Sequence, residues 1–528
     1  MSNFINLLRV PDDVKIKTSS SPFRFEEKGI PNPVKAKVSF ETGDSLKVIL
    51  EADEPVEWVR LRFNGDQSGV KSVLGDSVER CKADDVWWAA MNGFIKLPWY
   101  FYAFDGECLN SYGVKTGTNS IAYFQADPYG ITVLLDVRNG EHGVELKAPL
   151  LCAEIVCREG KPGENPYTAA RSFCEQMCEK PNLPKSPVYG FNNWYWAYGV
   201  IDEPTVLHEA EYLSSICDGC EGKPFMVIDD GWQIAHAENC HNGGPWNQSN
   251  ECFSSMDEVA QKIKDRGCKP GIWLRTLGTV SHVPKEAVFK YSDNRAGIVL
   301  DPSHPFTLEQ IEKDISRISN WGYELIKHDF STCDLFGFNF EGISGSFYDK
   351  SLTNAQIVKN LYKQIQKSAG DSLILGCNTI SHLAAGVHQI QRVGDDTSGI
   401  SFEWTRRHGI HSMMRLPQTG TFYSVDPDCA AFTDRVSKQL NFDFLEATAI
   451  SGCAVFASVT PGIFNSEDEK RMNDILKVSS KLKKEDYAIP VDWTYTTAPG
   501  EYEFKGQKYS YNWYSDYQGS REHLDWID

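Results

Sequence analysis

No stretch of about 18 apolar residues occurs in the 528-residue chain, so a membrane-spanning helix is not expected. Positive charge is also short. Lys and Arg number 53 against 72 Asp and Glu, a net charge of −19. Nucleic acid and anionic membrane surfaces both call for clustered cations, so neither is an expected partner, and a neutral small molecule fits better. The opening MSNFINLLRVPDD is apolar only from Phe4 to Leu8. It lacks a basic leader, a long apolar segment and a small-residue cleavage site, which leads us to expect a cytoplasmic protein. Fifteen cysteines, an odd number scattered through the chain, suggest reduced thiols rather than a disulfide framework. The lone C-x-x-C at Cys217 and Cys220 has no second pair and no nearby His, which argues against zinc there. No Gly-rich phosphate turn opens a helix, and strand-end histidines are scarce. No cofactor and no metal are therefore expected.

What is present is length, aromatic content and a change of pattern. A chain of 528 residues calls for two or three domains. Before residue 160, alternating segments such as SLKVILEA, EWVRLRF and GITVLLDV read as half-buried strands, so residues 1–185 are expected to form an N-terminal β-sandwich domain. REGKPGENP (158–166) reads as its closing turn or linker. From about Gly190, short apolar runs alternate with amphipathic helical stretches. The runs are FNNWYWA (191–197), PFMVIDD (224–230), KPGIWLR (269–275), YELIKHD (323–329), SLILGCN (372–378), HQIQRVGDD (388–396), FYSVDPD (422–428) and SGCAVFAS (451–458). PTVLHEAEYLSSI, MDEVAQKIKDRG, TLEQIEKDISRISNWG and NAQIVKNLYKQIQKS supply helices between them. Eight strands with helical crossovers are the pattern of a (β/α)8 TIM barrel, expected over residues 186–485. A doubly wound open sheet is the competing topology. Residues 486–528 read as a short C-terminal β segment packed on the barrel.

Carboxylates gather at the predicted strand ends, which in a barrel face the active-site mouth. Asp229 and Asp230 end the second run, Lys327 and Asp329 the fourth, and Cys377 and Asn378 the fifth. Arg392, Asp395 and Asp396 end the sixth, with Asp426 and Asp428 on the seventh. One such Asp is an ordinary helix cap. Several together repel one another unless they bind something. The chemistry they suit is displacement at a sugar carbon, for which retaining hydrolysis needs two carboxyl groups about 5 to 5.5 Å apart. Asp329 follows Lys327 by two residues, so both side chains face one way. Lys327 would keep Asp329 ionised as a nucleophile. Asp396, as proton donor, needs a raised pKa from apolar cover or a neighbouring carboxylate. Trp194 and Trp196 are placed on one face of the first strand and Trp273 on the third, where indole faces can meet a pyranose ring.

With DDGW (229–232), KHD (327–329) and RVGDDT (392–397), set among WYW, PGIW, GCN and DPD in that order, the sequence resembles the α-galactosidase clan of glycoside hydrolase families 27 and 36. It is closer to family 36, in which a β-sandwich precedes the barrel. The resemblance spans about residues 188 to 460. It implies Asp329 as the nucleophile and Asp396, four residues after Arg392, as the acid/base, with Asp395 the competitor for that second role. It implies that Asp229 and Asp230 grip the 4- and 6-hydroxyls of a sugar with an axial 4-hydroxyl. Lys327 would meet the 3- and 4-hydroxyls, while Arg392 and Cys377 would lie near the 2-position. The fifth-strand loop GCNTISHLAAG lacks the Gly-rich stretch of many family members, and the chain is short at both ends, so neither the 2-substituent nor the oligomeric state carries over.

The expected activity is retaining exo-α-galactosidase action on a small oligosaccharide or glycoside. The same machinery would serve α-N-acetylgalactosaminides or β-L-arabinopyranosides. Two readings of other classes stand beside it: a catalytically silent sugar-binding protein, and a metal-dependent barrel enzyme using Asp229, Asp230 and Asp426 as hard-cation ligands. The segment DDVWWAAMNGF (84–94) is a candidate for reaching the mouth from the N-terminal domain.

Overall fold

The structure, a computed structural model, describes residues 3–19, 35–81, 85–89, 93, 95–235, 242–291, 297–337, 340 and 343–515. Two antiparallel sheets come first. One has five strands, in which Gly130–Asp136 pairs along its whole length with residues 58–64 of Val56–Asn64. The other has six, from Ala36–Thr42 to Leu150–Arg158. Their inner faces meet across apolar side chains, with Phe101 of one sheet 5.5 Å from Phe124 of the other. The helix Pro166–Met177 follows, its N-terminus capped by Asn165.

The central element is a parallel sheet. Its strands run in space Ser424–Asp426, Ile390–Arg392, Leu373–Gly376, Leu325–His328, Lys269–Leu274, Phe225–Ile228, Tyr189–Asn192, Val455–Val459, Ala430–Phe432. The two outermost strands are consecutive in sequence, so the sheet curls until its edges lie within one short segment. Ala454 N–H donates to Val425 O at 2.8 Å across that seam. The strands are apolar and buried almost throughout, as expected where helices cover one face and packed side chains the other. Those helices are the amphipathic stretches, including Glu203–Ile216, Met256–Asp265, Pro305–Asn320 and Asn354–Ser368. Each starts at a polar residue; Thr353 with Gln356 forms a complete capping box. A three-stranded antiparallel sheet, Ile489–Pro490, Glu501–Phe504 and Gln507–Ser510, closes the described chain.

Three local expectations change. WYW does not extend the first strand, which ends at Asn192; Trp194–Ala197 is a helical turn ending at Tyr198 in the left-handed region, φ 46°. Trp194 and Trp196 therefore do not share a strand face. The runs at 388–396 and 422–428 contribute only three-residue strands, Ile390–Arg392 and Ser424–Asp426. A further three-stranded sheet, Gly278–Thr279, Val288–Tyr291 and Ile298–Leu300, stands where no strands were predicted. None of the described cysteines forms a disulfide. No helix among the described residues is long and apolar enough to cross a membrane.

Candidate active site

Register brings the strand-end residues together. Trp273 pairs with Lys327 and Leu274 with His328, and Asp329 N–H then donates to Leu274 O at 3.0 Å. Alternation sends Lys327 and Asp329 inward and His328 outward, against Tyr362 and His388. Burial holds the His328 imidazole neutral, its pKa lowered to about 4. A cavity of about 260 Å³ opens at the carboxyl ends of the strands. Trp194, Asp229, Asp230, Trp273, Lys327, Asp329, Asn378, Asp395 and Asp396 line it. Arg80, Tyr195, Asn242 and Phe330 complete the wall. A larger cavity of about 360 Å³ borders Val188, Ser424 and Cys453 at the opposite, strand-starting end. It is lined by no carboxylate, whereas five aspartates line the smaller one.

Asp329 is held on both oxygens. Trp273 Nε1–H donates to Oδ2 at 2.9 Å, while Phe330 N–H and Asn378 Nδ2 donate to Oδ1 at 2.7 and 2.6 Å. Burial opposes ionisation, but Lys327 and Arg80, with the hydrogen bonds, hold the pKa down at about 2. The backbone strains to make this grip. Phe330 lies at φ 67° and Asn378 at φ 49°, left-handed values costly for non-glycine residues and typical of functional sites.

Asp229 and Lys327 form the second unit. Lys327 Nζ and Asn192 Nδ2 each donate to Asp229 Oδ2 at 2.7 Å. Burial alone would strip the Lys327 ammonium of its proton, yet Asp229 keeps it charged. Asp230 Oδ1 accepts from Gln233 Nε2 at 2.5 Å. A cation thus already meets the Asp229 carboxylate that a metal site would need. Among the described residues no group of three or more His, Cys, Asp or Glu is arranged to hold a metal ion. Asp426 sits behind the pocket wall, and burial raises it to about 6.

Across the cavity, Asp396 Oδ1 receives two arginines, Arg80 Nη1 and Arg392 Nη2, each at 3.0 Å. Its side chain remains 55% exposed toward the mouth. Burial of its inner side raises its pKa against the pull of both arginines, with Asp428 and Asp395 adding to the rise. Asp395 lies beside it, 2.9 Å from Arg80 Nη1, and its Oδ1 accepts from Asp396 N–H at 2.9 Å. Arg392 is fully buried and also binds Asp428, which in turn accepts from Tyr195 Oη and from Thr397 N–H. Cys377 is equally buried, its Sγ 3.9 Å from Arg392 Nη1. Both therefore stand one layer behind the cavity lining.

Motif reading misses Arg80, as it does Tyr195, Asn242 and Phe330. Arg80 lies 316 residues before Asp396, in a segment of the β domain without a recognisable pattern. The N-terminal domain does reach the mouth through Arg80, while none of the described residues of the aromatic segment 84–94 lines the cavity. Trp87 from that segment packs against Trp493 of the C-terminal sheet, 5.3 Å between rings. Residues 84, 90–92 and 94 lie outside the described residues.

No family model matches the chain. Solved structures do. TtGalA, an α-galactosidase from Thermus thermophilus solved with p-nitrophenyl α-D-galactopyranoside, is 16% identical, with TM-score 0.61 over 90% of this chain and 99% of that one. The family 36 α-galactosidase AgaA from Geobacillus stearothermophilus is 13% identical, with TM-score 0.57 over 84% of this chain and 66% of that one. The galactosidase domain of an α-galactosidase–sucrose kinase, AgaSK, is 15% identical, with TM-score 0.57 over 92% of this chain and 74% of that one. At such identities the likeness speaks for architecture. The chain has the fold of the family 36 α-galactosidases, a β domain followed by a curled parallel αβ sheet with its polar cavity at the strand ends.

Proposed function

We propose that the protein is a retaining exo-α-galactosidase and that the curled sheet is a (β/α)8 barrel, with residues 424–432 as its seventh strand. Residues 1–185, 186–485 and 486–528 are taken as its β, catalytic and C-terminal parts. One observation carries the reading: a carboxylate held ionised, Asp329, and one held toward its neutral form, Asp396, line the same cavity. Asp329 attacks the anomeric carbon as the glycosidic C–O bond breaks, and the Asp396 proton passes to the departing oxygen. Water then takes the place of that group. Asp396 removes its proton, the new C–O bond forms, and Asp329 leaves as carboxylate. Asp229 and Asp230 accept hydrogen bonds from sugar hydroxyls and Lys327 donates to them, while Trp194 and Trp273 offer faces to the ring. No cofactor is needed. TtGalA has also been solved with stachyose, and a variant of AgaA with raffinose, and a small α-galactoside of that kind is the substrate proposed here.

Hydrolysis rates on p-nitrophenyl α-galactoside, α-N-acetylgalactosaminide, β-L-arabinopyranoside and α-glucoside test this. The proposal expects preference for the α-galactoside and loss of turnover in Asp329→Ala. Preference for the acetamido sugar or the pentoside would keep the mechanism and move the substrate. Wild-type rates in Asp329→Ala would overturn it, and binding of melibiose without turnover would favour the silent sugar-binding reading.

A further inference from the structure

The segment at residues 78–81 leaves the β domain and lies along the loop that carries Asp395 and Asp396. Cys81 N–H donates to Val393 O at 2.7 Å and Asp395 N–H to Cys81 O at 2.9 Å, a parallel bridge one residue wide. Ser381 N–H donates to Val78 O at 3.1 Å. Arg415 Nη1 then ties the two segments together, donating to Glu79 O at 2.8 Å and to Val393 O at 2.7 Å. Between these ties Arg80 projects into the cavity with its side chain only 5% exposed, its Nη1 shared by Asp395 and Asp396.

We propose that Arg80 is a positioning residue for the proposed acid/base: it fixes the Asp396 carboxyl, so that the catalytic mouth is built by two domains of one chain. This rests on the reading of Asp396 as proton donor. With Oδ1 taken by Arg80 and Arg392, Oδ2 is left to carry the proton into the cavity. Each arginine favours the ionised carboxylate and dehydration opposes them, so the pH at which Asp396 stops donating depends on how many cations stay in contact. The groups facing it are Arg80 from the β domain, Arg392 from its own strand, neighbouring Asp395, Asp428 beyond the next strand, Tyr195 from the first-strand turn and His408. Of these, Arg80 alone comes from the N-terminal domain.

The test is the pH dependence of kcat/KM in Arg80→Gln and Arg80→Lys, with thermal unfolding of each variant alongside. Removing a cation in contact with a carboxylate raises its pKa, so the basic limb should move up by about one pH unit in Arg80→Gln. Arg80→Lys keeps the charge and should hold the limb near that of the wild type. A limb that stays in place while kcat falls in both variants would overturn the proposal and leave Arg80 a structural residue. Titration of the Asp396 carboxyl by ¹³C NMR, assigned by its loss in Asp396→Asn, needs no turnover. Should the wild type hydrolyse no glycoside, the hydrolase reading fails, and this titration still judges the Arg80 contact. An Asp396 titration unmoved in Arg80→Gln overturns it.

Discussion

Two carboxylates of the cavity, Asp329 and Asp396, stand in different electrostatic surroundings. Asp329 is buried, with donors on both oxygens and the Lys327 charge nearby, while Asp396 is half-exposed at the mouth with two arginines on one oxygen only. The sign of the pH dependence follows. On the proposed mechanism, activity needs Asp329 ionised, which holds above its pKa of about 2, and is lost as pH falls through that value. That mechanism also needs Asp396 protonated, so activity is lost as pH rises through its pKa, which is raised above the ordinary Asp value. A plot of kcat/KM for p-nitrophenyl α-galactoside against pH should therefore be bell-shaped. Asp396→Asn should lose the basic limb and about 10²- to 10⁴-fold in rate. A basic limb that survives in this variant reassigns the acid, with Asp395 next in line. At this scale the sequence was informative where chemistry recurs at strand ends: Asp229, Asp230, Lys327, Asp329, Asn378 and Asp396 all line the cavity. It was silent on Arg80, because no local pattern records a contact made across 316 residues.

Elements were legible where periodicity was long. The helix over Asn354–Ser368 matches its predicted span because a full apolar stripe and a capping box define it. The WYW turn was misread because aromatic residues carry strand propensity, while a left-handed Tyr198 and the partial burial of Trp196, hydrogen-bonded to a helix, are tertiary facts. That burial has a consequence. Trp196 Nε1–H donates at 2.8 Å to Oε1 of Glu209 on the helix Glu203–Ile216, and Glu209 Oε2 has no partner. Burial pushes the Glu209 carboxyl up to about 8 from 4.5. At pH 7 the folded state holds this group neutral while the unfolded state ionises it, so folding takes up a proton and stability falls as pH rises from about 4.5 to 8. Glu209→Gln keeps the acceptor and removes that cost. Guanidinium unfolding should find it about 1–3 kcal/mol more stable than wild type at pH 7, with the difference vanishing near pH 4.5. A variant less stable at both pH values would contradict the neutral-Glu209 account.

The β domain and the curled parallel sheet are joined by charge as well as by apolar packing. Asp76 at the edge of the six-stranded sheet meets Arg415 at 2.6 Å and accepts from Trp99 Nε1–H at 2.5 Å, all three side chains buried. Arg415 also holds the 78–81 segment against the Asp396 loop, so one buried cation links domain docking to the site. Breaking such a pair leaves Arg415 only the more distant Asp85, 3.7 Å away, and Asp76→Ala should cost about 3 kcal/mol. Tryptophan fluorescence during denaturant unfolding should show both parts melting in one earlier transition. An unchanged midpoint would mean that the junction is held by other contacts. The existence of two β-rich parts flanking an αβ unit could be read from the change of pattern near residue 160, but the seam at residues 424–432 and the docking could not, being products of curvature and long-range charge.

The measurement that bears most directly on the central claim is the anomer of the sugar first released from p-nitrophenyl α-galactoside, followed by ¹H NMR before mutarotation. Double displacement through Asp329 predicts α-galactose first, with the signal absent in Asp329→Ala. β-Galactose as the first product would mean a single displacement by water, and Asp329 would not be the nucleophile.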